Sequence, residues 1–261
     1  MKSLHRCYVI GAGLLSWLVF GLVSVGLNFA CMLVLLLPGR EQRGVTTRRI
    51  IQRLFGAWCS WLHATRLIYV TWHGFTPEAL AGPAVYIANH PGLLDATFIL
   101  ARLPDTICIF KPSVMHNPAL GPAAILAGYA SGDAGVDLIR DVAARVQTGR
   151  SLLIFPEGTR TLPGVSLNPL RAGFALIATR AGVPVRLLRV SAPRDLVPKG
   201  QPWWRLPTLP AQVEITLLGE LDAGAAANAK ELTARAAQQL SAALGDLPSR
   251  ANHPEPVERH L

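Results

Sequence analysis

Apolar and polar positions divide the 261-residue chain into three regimes. In the first, residues 8–37 (YVIGAGLLSWLVFGLVSVGLNFACMLVLLL) carry no charge. About 20 such residues suffice to cross a bilayer. The run therefore predicts either one tilted span or a bent pair of half-depth helices turning near Gly26-Leu27-Asn28. A cleaved signal peptide would have an apolar region of only about 7–15 residues, whereas here the apolar residues continue to Pro38. In the second regime, residues 46–66, the positions Ile50, Ile51, Leu54, Phe55, Trp58, Trp61 and Leu62 recur at helical spacing. Arg48, Arg49 and Arg53 lie mainly elsewhere around the wheel. This predicts an amphipathic helix on a bilayer surface, with an ordinary core-packed helix as the alternative.

The third regime alternates short apolar runs with helical stretches. Strands are expected at 67–73, 84–89, 106–110, 151–155, 184–190 and 211–218, and helices at 93–103, 117–128, 137–149, 171–182 and 225–244. Such alternation predicts an α/β domain around a largely buried, mostly parallel sheet flanked by helices. The Pro-rich stretch 191–210 is expected to be a long loop. Its Trp203-Trp204 pair, between Lys199 and Arg205, suits either a membrane interface or a packed loop. The expected organisation is thus an N-terminal membrane anchor with its basic flank at 1–45, the amphipathic helix at 46–66, a catalytic domain at 67–245 and a disordered tail at 246–261.

Composition agrees with an anchored domain. The chain is 51% hydrophobic, and its mean hydropathy of +0.33 is high for a soluble protein. The formal net charge is +9, which suits anionic lipid headgroups or nucleic acid. The apolar segment favours lipid, and no helix-turn-helix, zinc-finger or interleaved aromatic–basic pattern supports nucleic acid. Arg40, Arg43, Arg48, Arg49 and Arg53 follow the apolar run, against Lys2 and Arg6 before it. The positive-inside tendency then places the large C-terminal part in the cytoplasm. Cys7, Cys31, Cys59 and Cys108 are scattered, with no CxxC or Cys/His cluster, so no metal site is expected.

Two polar clusters follow predicted strands, where ligands gather at the carboxyl edge of open α/β sheets. After strand 84–89 comes NHPGLLD, residues 89–95. In an unbroken helix five residues would set His90 and Asp95 about 140° apart, on different faces. Pro91-Gly92 breaks the chain, so that His90 can sit in a turn and Asp95 in the first turn of the next helix. There Asp95 can hold one imidazole nitrogen and leave the other free to take a proton, the base-and-orienter half of a hydrolase triad. No GxSxG occurs, so the simplest completion is a substrate that brings its own hydroxyl, which makes the chemistry a transfer. After strand 151–155 comes Pro156-Glu157-Gly158-Thr159-Arg160. Gly158 allows close backbone approach, Thr159 supplies a hydroxyl, Arg160 offers a planar fork for phosphate, and Glu157 can orient an arginine or a substrate hydroxyl. Lys111 and Arg171 are further candidate cations.

Together, NHPGLLD and FPEGTR resemble the paired signatures of the glycerolipid (1-acylglycerol-3-phosphate) acyltransferase family. Asn89, His90 and Asp95 match its NHxxxxD motif, residues 155–160 match FPEGTR throughout, and Val183-Pro184-Val185 is similar to its fourth motif. The resemblance covers about residues 67–220. It implies that His90 is the general base, that Asp95 orients it, and that Glu157, Gly158 and Arg160 bind the acceptor. The implied reaction moves a fatty acyl group from a coenzyme A or acyl-carrier-protein thioester to a lipid hydroxyl at a bacterial cytoplasmic membrane. That thioester is a co-substrate, and no metal or other cofactor is expected. Serine is common in the family at the position of Gly92. The second family motif usually ends GxIFIxR, and the aligned stretch 128–134 here, GYASGDA, has no arginine. The first motif and the Leu162-Pro163-Gly164 segment also look like acyltransferases of bacterial aryl polyene pathways. The alternatives are accordingly a specialised lipid acceptor or a non-catalytic lipid-binding protein of the same fold.

Overall fold

The computed structural model describes residues 2–245 except 119, 133–134, 194, 203–204 and 206. The Trp203-Trp204 pair, the last two residues of the stretch 128–134 and the tail from 246 therefore lie outside the described residues. Among the described residues seven strands form one sheet in the order β1-β7-β6-β2-β5-β3-β4. These are β1 (Ile68–His73), β2 (Val85–Ala88), β3 (Thr106–Phe110), β4 (Ala130–Ser131), β5 (Ser151–Ile154), β6 (Val185–Ser191) and β7 (Ala211–Leu221). All neighbours pair parallel except β6 with β7, which is antiparallel. The central strand β2 is apolar and buried along its whole length because both faces of the sheet are covered there. Tyr86, Ile87, Ile107, Leu152, Leu153 and Leu187 are among the largest fully buried side chains.

Among the described residues eight helices accompany the sheet: α1 (Lys2–Leu35), α2 (Arg40–Ala64), α3 (Asp95–Leu100), α4 (Pro112–Met115), α5 (Gly121–Leu126), α6 (Gly135–Gln147), α7 (Gly173–Ala181) and α8 (Ala229–Gly245). The six expected strands all form, most of them within a residue of the expected ends. The two-residue β4 and the four-residue α4 are too short to leave a periodic signal in the sequence.

The N-terminal apolar run is one continuous helix, so the bent-pair alternative does not hold: the chain passes straight through Gly26 and turns only at 36–39. Asn28 does not break α1, because its Nδ2 bonds back to the Ser24 carbonyl at 2.8 Å. Its Oδ1 accepts the Ala123 amide of α5 at 2.9 Å. The helix runs antiparallel to α2, with Tyr8 Oη donating to Thr65 O (3.0 Å) and Trp61 Nε1 donating to Ser16 Oγ (2.9 Å). Trp17, Phe20, Phe55 and Trp58 interlock between the two helices. The outer face of α1 keeps Leu14, Leu18, Leu22, Val25 and Phe29 exposed. The helix Arg6–Leu35 is long and apolar enough to cross a membrane.

This docking corrects the expectation for 46–66. The helix starts at Arg40, and Ile51, Trp58 and Leu62 of its apolar stripe are buried, with Cys59 beside them. The core-packed alternative describes most of its length, because α1 and the domain cover the stripe, while Ile50 and Trp61 remain exposed. Arg48 is not a headgroup-facing cation either. It is 3% exposed, with Nε on Asp105 Oδ1 (2.7 Å) and Nη1 on the Ala127 carbonyl (2.7 Å). A cation withdrawn from water needs such partners, and periodicity alone cannot reveal them.

Candidate active site

The parallel pairing of β2 with β5 and of β5 with β3 opens His90, Glu157 and Lys111 along one carboxyl edge of the sheet. The chain leaves β2 through Asn89, crosses the Pro91-Gly92 break and re-enters a helix at Asp95, the first residue of α3. His90 Nδ1 lies 2.8 Å from Asp95 Oδ2, and the Gly92 amide donates to the same oxygen at 2.8 Å. An ionised carboxylate only accepts, so Nδ1 is the nitrogen that donates to it, and in a neutral imidazole Nε2 is then the acceptor. Among the described residues Nε2 has no hydrogen-bond partner. The imidazole stacks on Phe155 with ring centroids 4.1 Å apart, and 19% of its side chain is exposed, whereas Asp95 is fully buried.

Burial pushes the Asp95 carboxyl above its ordinary range. The hydrogen bond and charge of His90, the Gly92 amide and the charge of Arg160 oppose that rise. Asp95 Oδ1 is buried with no partner. The carboxylate is therefore held by one oxygen, aimed at the imidazole, at a cost in solvation. Such an arrangement suits stabilising an imidazolium as it forms.

The second cluster is built differently from the expectation. Glu157 is 4% exposed. Its Oε1 accepts the His90 amide (2.8 Å) and Thr161 Oγ1 (2.9 Å), and its Oε2 accepts the Asn168 amide (2.9 Å). With three donors already on its carboxylate, it ties the two motifs together as a brace. Asn89 is likewise occupied: Nδ2 donates to Val190 O at 2.8 Å and Oδ1 accepts Val190 N at 2.7 Å. Its amide thus continues the β2–β6 ladder past the end of the strand. Replacing Glu157 by Gln turns one acceptor into a donor that faces another donor. We expect a loss of about 1–3 kcal/mol, read as a lower urea midpoint in detergent.

Gly158 sits at φ 68°, a left-handed conformation that suits glycine. A side chain there would also crowd Arg171, whose Cζ lies 3.0 Å from an added Cβ, so the guanidinium would have to shift. Arg171 thus lies against the turn, exposed, where sequence spacing left its position undetermined. Thr159 is half-buried on the same turn, and Lys111 is exposed at the cap of α4. Arg160 Nη1 donates to two backbone carbonyls of the 191–210 loop, Val197 O (2.9 Å) and Pro198 O (2.8 Å). That commitment had no signal in the sequence, because the partners are main-chain atoms 37 and 38 residues away.

A mostly parallel sheet with a histidine–carboxylate pair beside an FPEGTR turn is the architecture of an acyltransferase. The Acyltransferase family model matches residues 69–188. The lyso-ornithine lipid O-acyltransferase of Pseudomonas aeruginosa is 35% identical over 190 residues, which is 70% of this chain and 69% of that protein. A 1-acyl-sn-glycerol-3-phosphate acyltransferase of Cocos nucifera is 37% identical over 109 residues, covering 39% of this chain and 35% of that protein. The crystal structure of the 1-acyl-sn-glycerophosphate acyltransferase of Thermotoga maritima shares the fold at a TM-score of 0.72 and 20% identity. That likeness covers 96% of this chain and 99% of the other. The chain belongs to the acyltransferase family that contains these lysophospholipid and lyso-ornithine lipid enzymes, and it is an acyltransferase.

Proposed function

We propose that this chain is a membrane-bound O-acyltransferase that carries a fatty acyl group from a coenzyme A or acyl-carrier-protein thioester to the hydroxyl of a lysophospholipid-type acceptor. The observation that carries the reading is the His90–Asp95 pair, 2.8 Å apart, with Nε2 free among the described residues. The acceptor hydroxyl attacks the thioester carbon while Nε2 takes its proton. The tetrahedral intermediate then expels the sulfur, which leaves with that proton as the thiol. One C–O bond forms, one C–S bond breaks, and His90 returns neutral with no covalent enzyme intermediate. Lys111, Thr159 and Arg171 are the side chains best placed to meet a charged headgroup or carrier along this edge.

1-Acylglycerol-3-phosphate is the first acceptor to assay. A second, an amino-acid-linked lyso-lipid, is favoured by the long match to the lyso-ornithine lipid O-acyltransferase and by the absence of arginine from residues 128–134. The test incubates purified protein with acyl-coenzyme A or acyl-carrier protein and each acceptor, and follows thiol release with product mass. Thiol release that no lyso-lipid stimulates would overturn the transfer reading and favour a lipid-binding protein.

The exposed apolar face of α1 supports the membrane part of the proposal, and Arg43, Arg49 and Arg53 support the cytoplasmic face of a bacterial inner membrane. Salt screens arginine–headgroup attraction but not apolar burial. The full chain is therefore expected to stay in the membrane pellet through a molar-salt wash and to leave it only with detergent. Release by salt alone would remove α1 as the anchor.

A further inference from the structure

Residues 161–170, TLPGVSLNPL, carry no charge and lie between Arg160 and Arg171. Within them, residues 162–166 are all exposed, with Leu162 at 46% and Val165 at 51%. This stretch is a closed turn: the Val165 amide donates to Leu162 O at 3.4 Å, and Gly164 takes φ 87° at the tip. Its base is tied to the catalytic site. The Thr161 amide donates to His90 O at 2.7 Å. Asn168 is buried; its Oδ1 accepts the Leu162 amide (3.2 Å), its Nδ2 donates to Arg160 O (3.3 Å), and its own amide donates to Glu157 Oε2 (2.9 Å). Buried hydrogen bonds thus fix a turn whose aliphatic side chains face solvent beside the catalytic histidine. Leu93, in the turn that follows His90, is a third such side chain at 43% exposed.

Single exposed aliphatic residues are ordinary on a protein surface. A stapled, uncharged turn with an arginine at each foot is a different arrangement. It suits the boundary of a bilayer, where the tip enters the acyl region and the guanidinium groups meet lipid phosphates. A protein partner is the poorer fit, because protein interfaces draw most of their energy from aromatic and arginine anchors, and the tip Leu162-Pro163-Gly164-Val165 has neither. We propose that the Leu162–Val165 turn is a membrane-inserting loop that, with Leu93, docks the open edge of the active site onto an anionic bilayer. A lipid acceptor then reaches His90 without crossing water. The helix α1 holds the chain at the membrane, and the turn sets which way the site faces. Its loss therefore weakens capture of a membrane-held acceptor and leaves the chemistry intact. This kinetic consequence rests on the acyl-transfer reading, whereas insertion of the turn does not.

The test has two arms, both on the full chain. In the first, Val165→Cys carries an environment-sensitive fluorophore in a Cys7→Ser background, where the other three cysteines are buried. Thr148→Cys, exposed just before β5 at the opposite edge of the sheet, is the control. The proteins are reconstituted in phosphatidylcholine vesicles with and without phosphatidylglycerol, some containing spin-labelled lipid. The label at 165 is expected to shift to the blue and to be quenched by the spin-labelled lipid, more so with phosphatidylglycerol. The label at 148 should stay accessible to aqueous iodide. Equal iodide access at both positions would overturn the proposal. In the second arm, Leu162→Ser/Val165→Ser is compared with wild type. KM for 1-acylglycerol-3-phosphate held in vesicles should rise about tenfold or more, the factor that burial of one aliphatic side chain represents, with kcat little changed. Turnover of a short-chain acceptor dissolved as monomers should stay near that of wild type. An equal loss on the monomeric acceptor would overturn the proposal and make the turn part of the acceptor site. A wild-type dimer that this variant splits, with no quenching at 165, would make the turn a contact between two copies. If the wild type consumed no thioester, the transfer reading would fall while the quenching still decided insertion.

Discussion

His90→Ala is expected to lower acyl transfer about 10²–10⁴-fold, the usual contribution of a positioned base, while the protein stays folded. The imidazole lies at the edge of the core, with 19% of its side chain exposed and one face on Phe155. Its loss opens a small gap that water can enter, and no core layer is removed. The measurement is thioester consumption under saturating acceptor, with circular dichroism and detergent-monomer size as controls for folding. Turnover within a few-fold of wild type would sink the base mechanism. Adding Asp95→Asn to His90→Ala should cost little more, because residues that act in one step are not additive.

Asp95→Asn is expected to impair turnover severely, about 10²-fold or more, and yet not to destabilise the fold at neutral pH. The catalytic part follows from charge: an amide oxygen can still accept from Nδ1, but it cannot stabilise the imidazolium as a carboxylate does. The stability part follows from burial. The Asp95 carboxyl is pushed above the ordinary carboxylate range mainly by desolvation. The folded chain therefore holds that proton more tightly than the unfolded chain, whose aspartate titrates near its ordinary value of about 3.9. The resulting stabilisation is fully present below the unfolded value and is lost as pH rises through the folded one. Near neutrality the wild type bears the cost of a buried charge, and the asparagine variant does not. The amide nitrogen takes the place of Oδ1, which already has no partner, so the number of orphaned polar atoms does not rise. Urea midpoints for the two proteins should favour the variant at pH 7, and its advantage should shrink as pH falls toward 4. A variant clearly less stable at pH 7 than at pH 5, relative to wild type, would show that the carboxylate stabilises the fold.

The two predictions together describe a site that sacrifices stability for aim. A half-satisfied buried carboxylate is a poor stabilising contact and a good orienting one. The bracing groups around it have the opposite character. Glu157 and Asn89 have their polar atoms satisfied by backbone donors and acceptors from other segments. Within one pair of motifs, the Nε2 edge of His90 thus stays open among the described residues while the polar atoms of Glu157 and Asn89 are taken up by the backbone.

The sequence by itself determined the longer elements and the chemistry-bearing motifs. Strand alternation and the break at Pro91-Gly92 are local signals, written in residues a few positions apart, and they located β2, β5, α3 and the His90–Asp95 pair. The apolar run of α1 was legible for the same reason, while its continuity through Gly26 was not. Tertiary structure alone decided which of the flanking polar groups remain free. Arg160 meets carbonyls of Val197 and Pro198, Arg48 meets Asp105, and Gly92 faces Leu196, and every one of these partners arrives from a distant segment. The apolar stripe of α2 reads the same way on a helical wheel whether it faces lipid or protein, and only the docking of α1 chooses. Periodicity records that a face is buried. It does not record what buries it, because apolar burial is non-directional and the covering surface is set by how the whole chain packs.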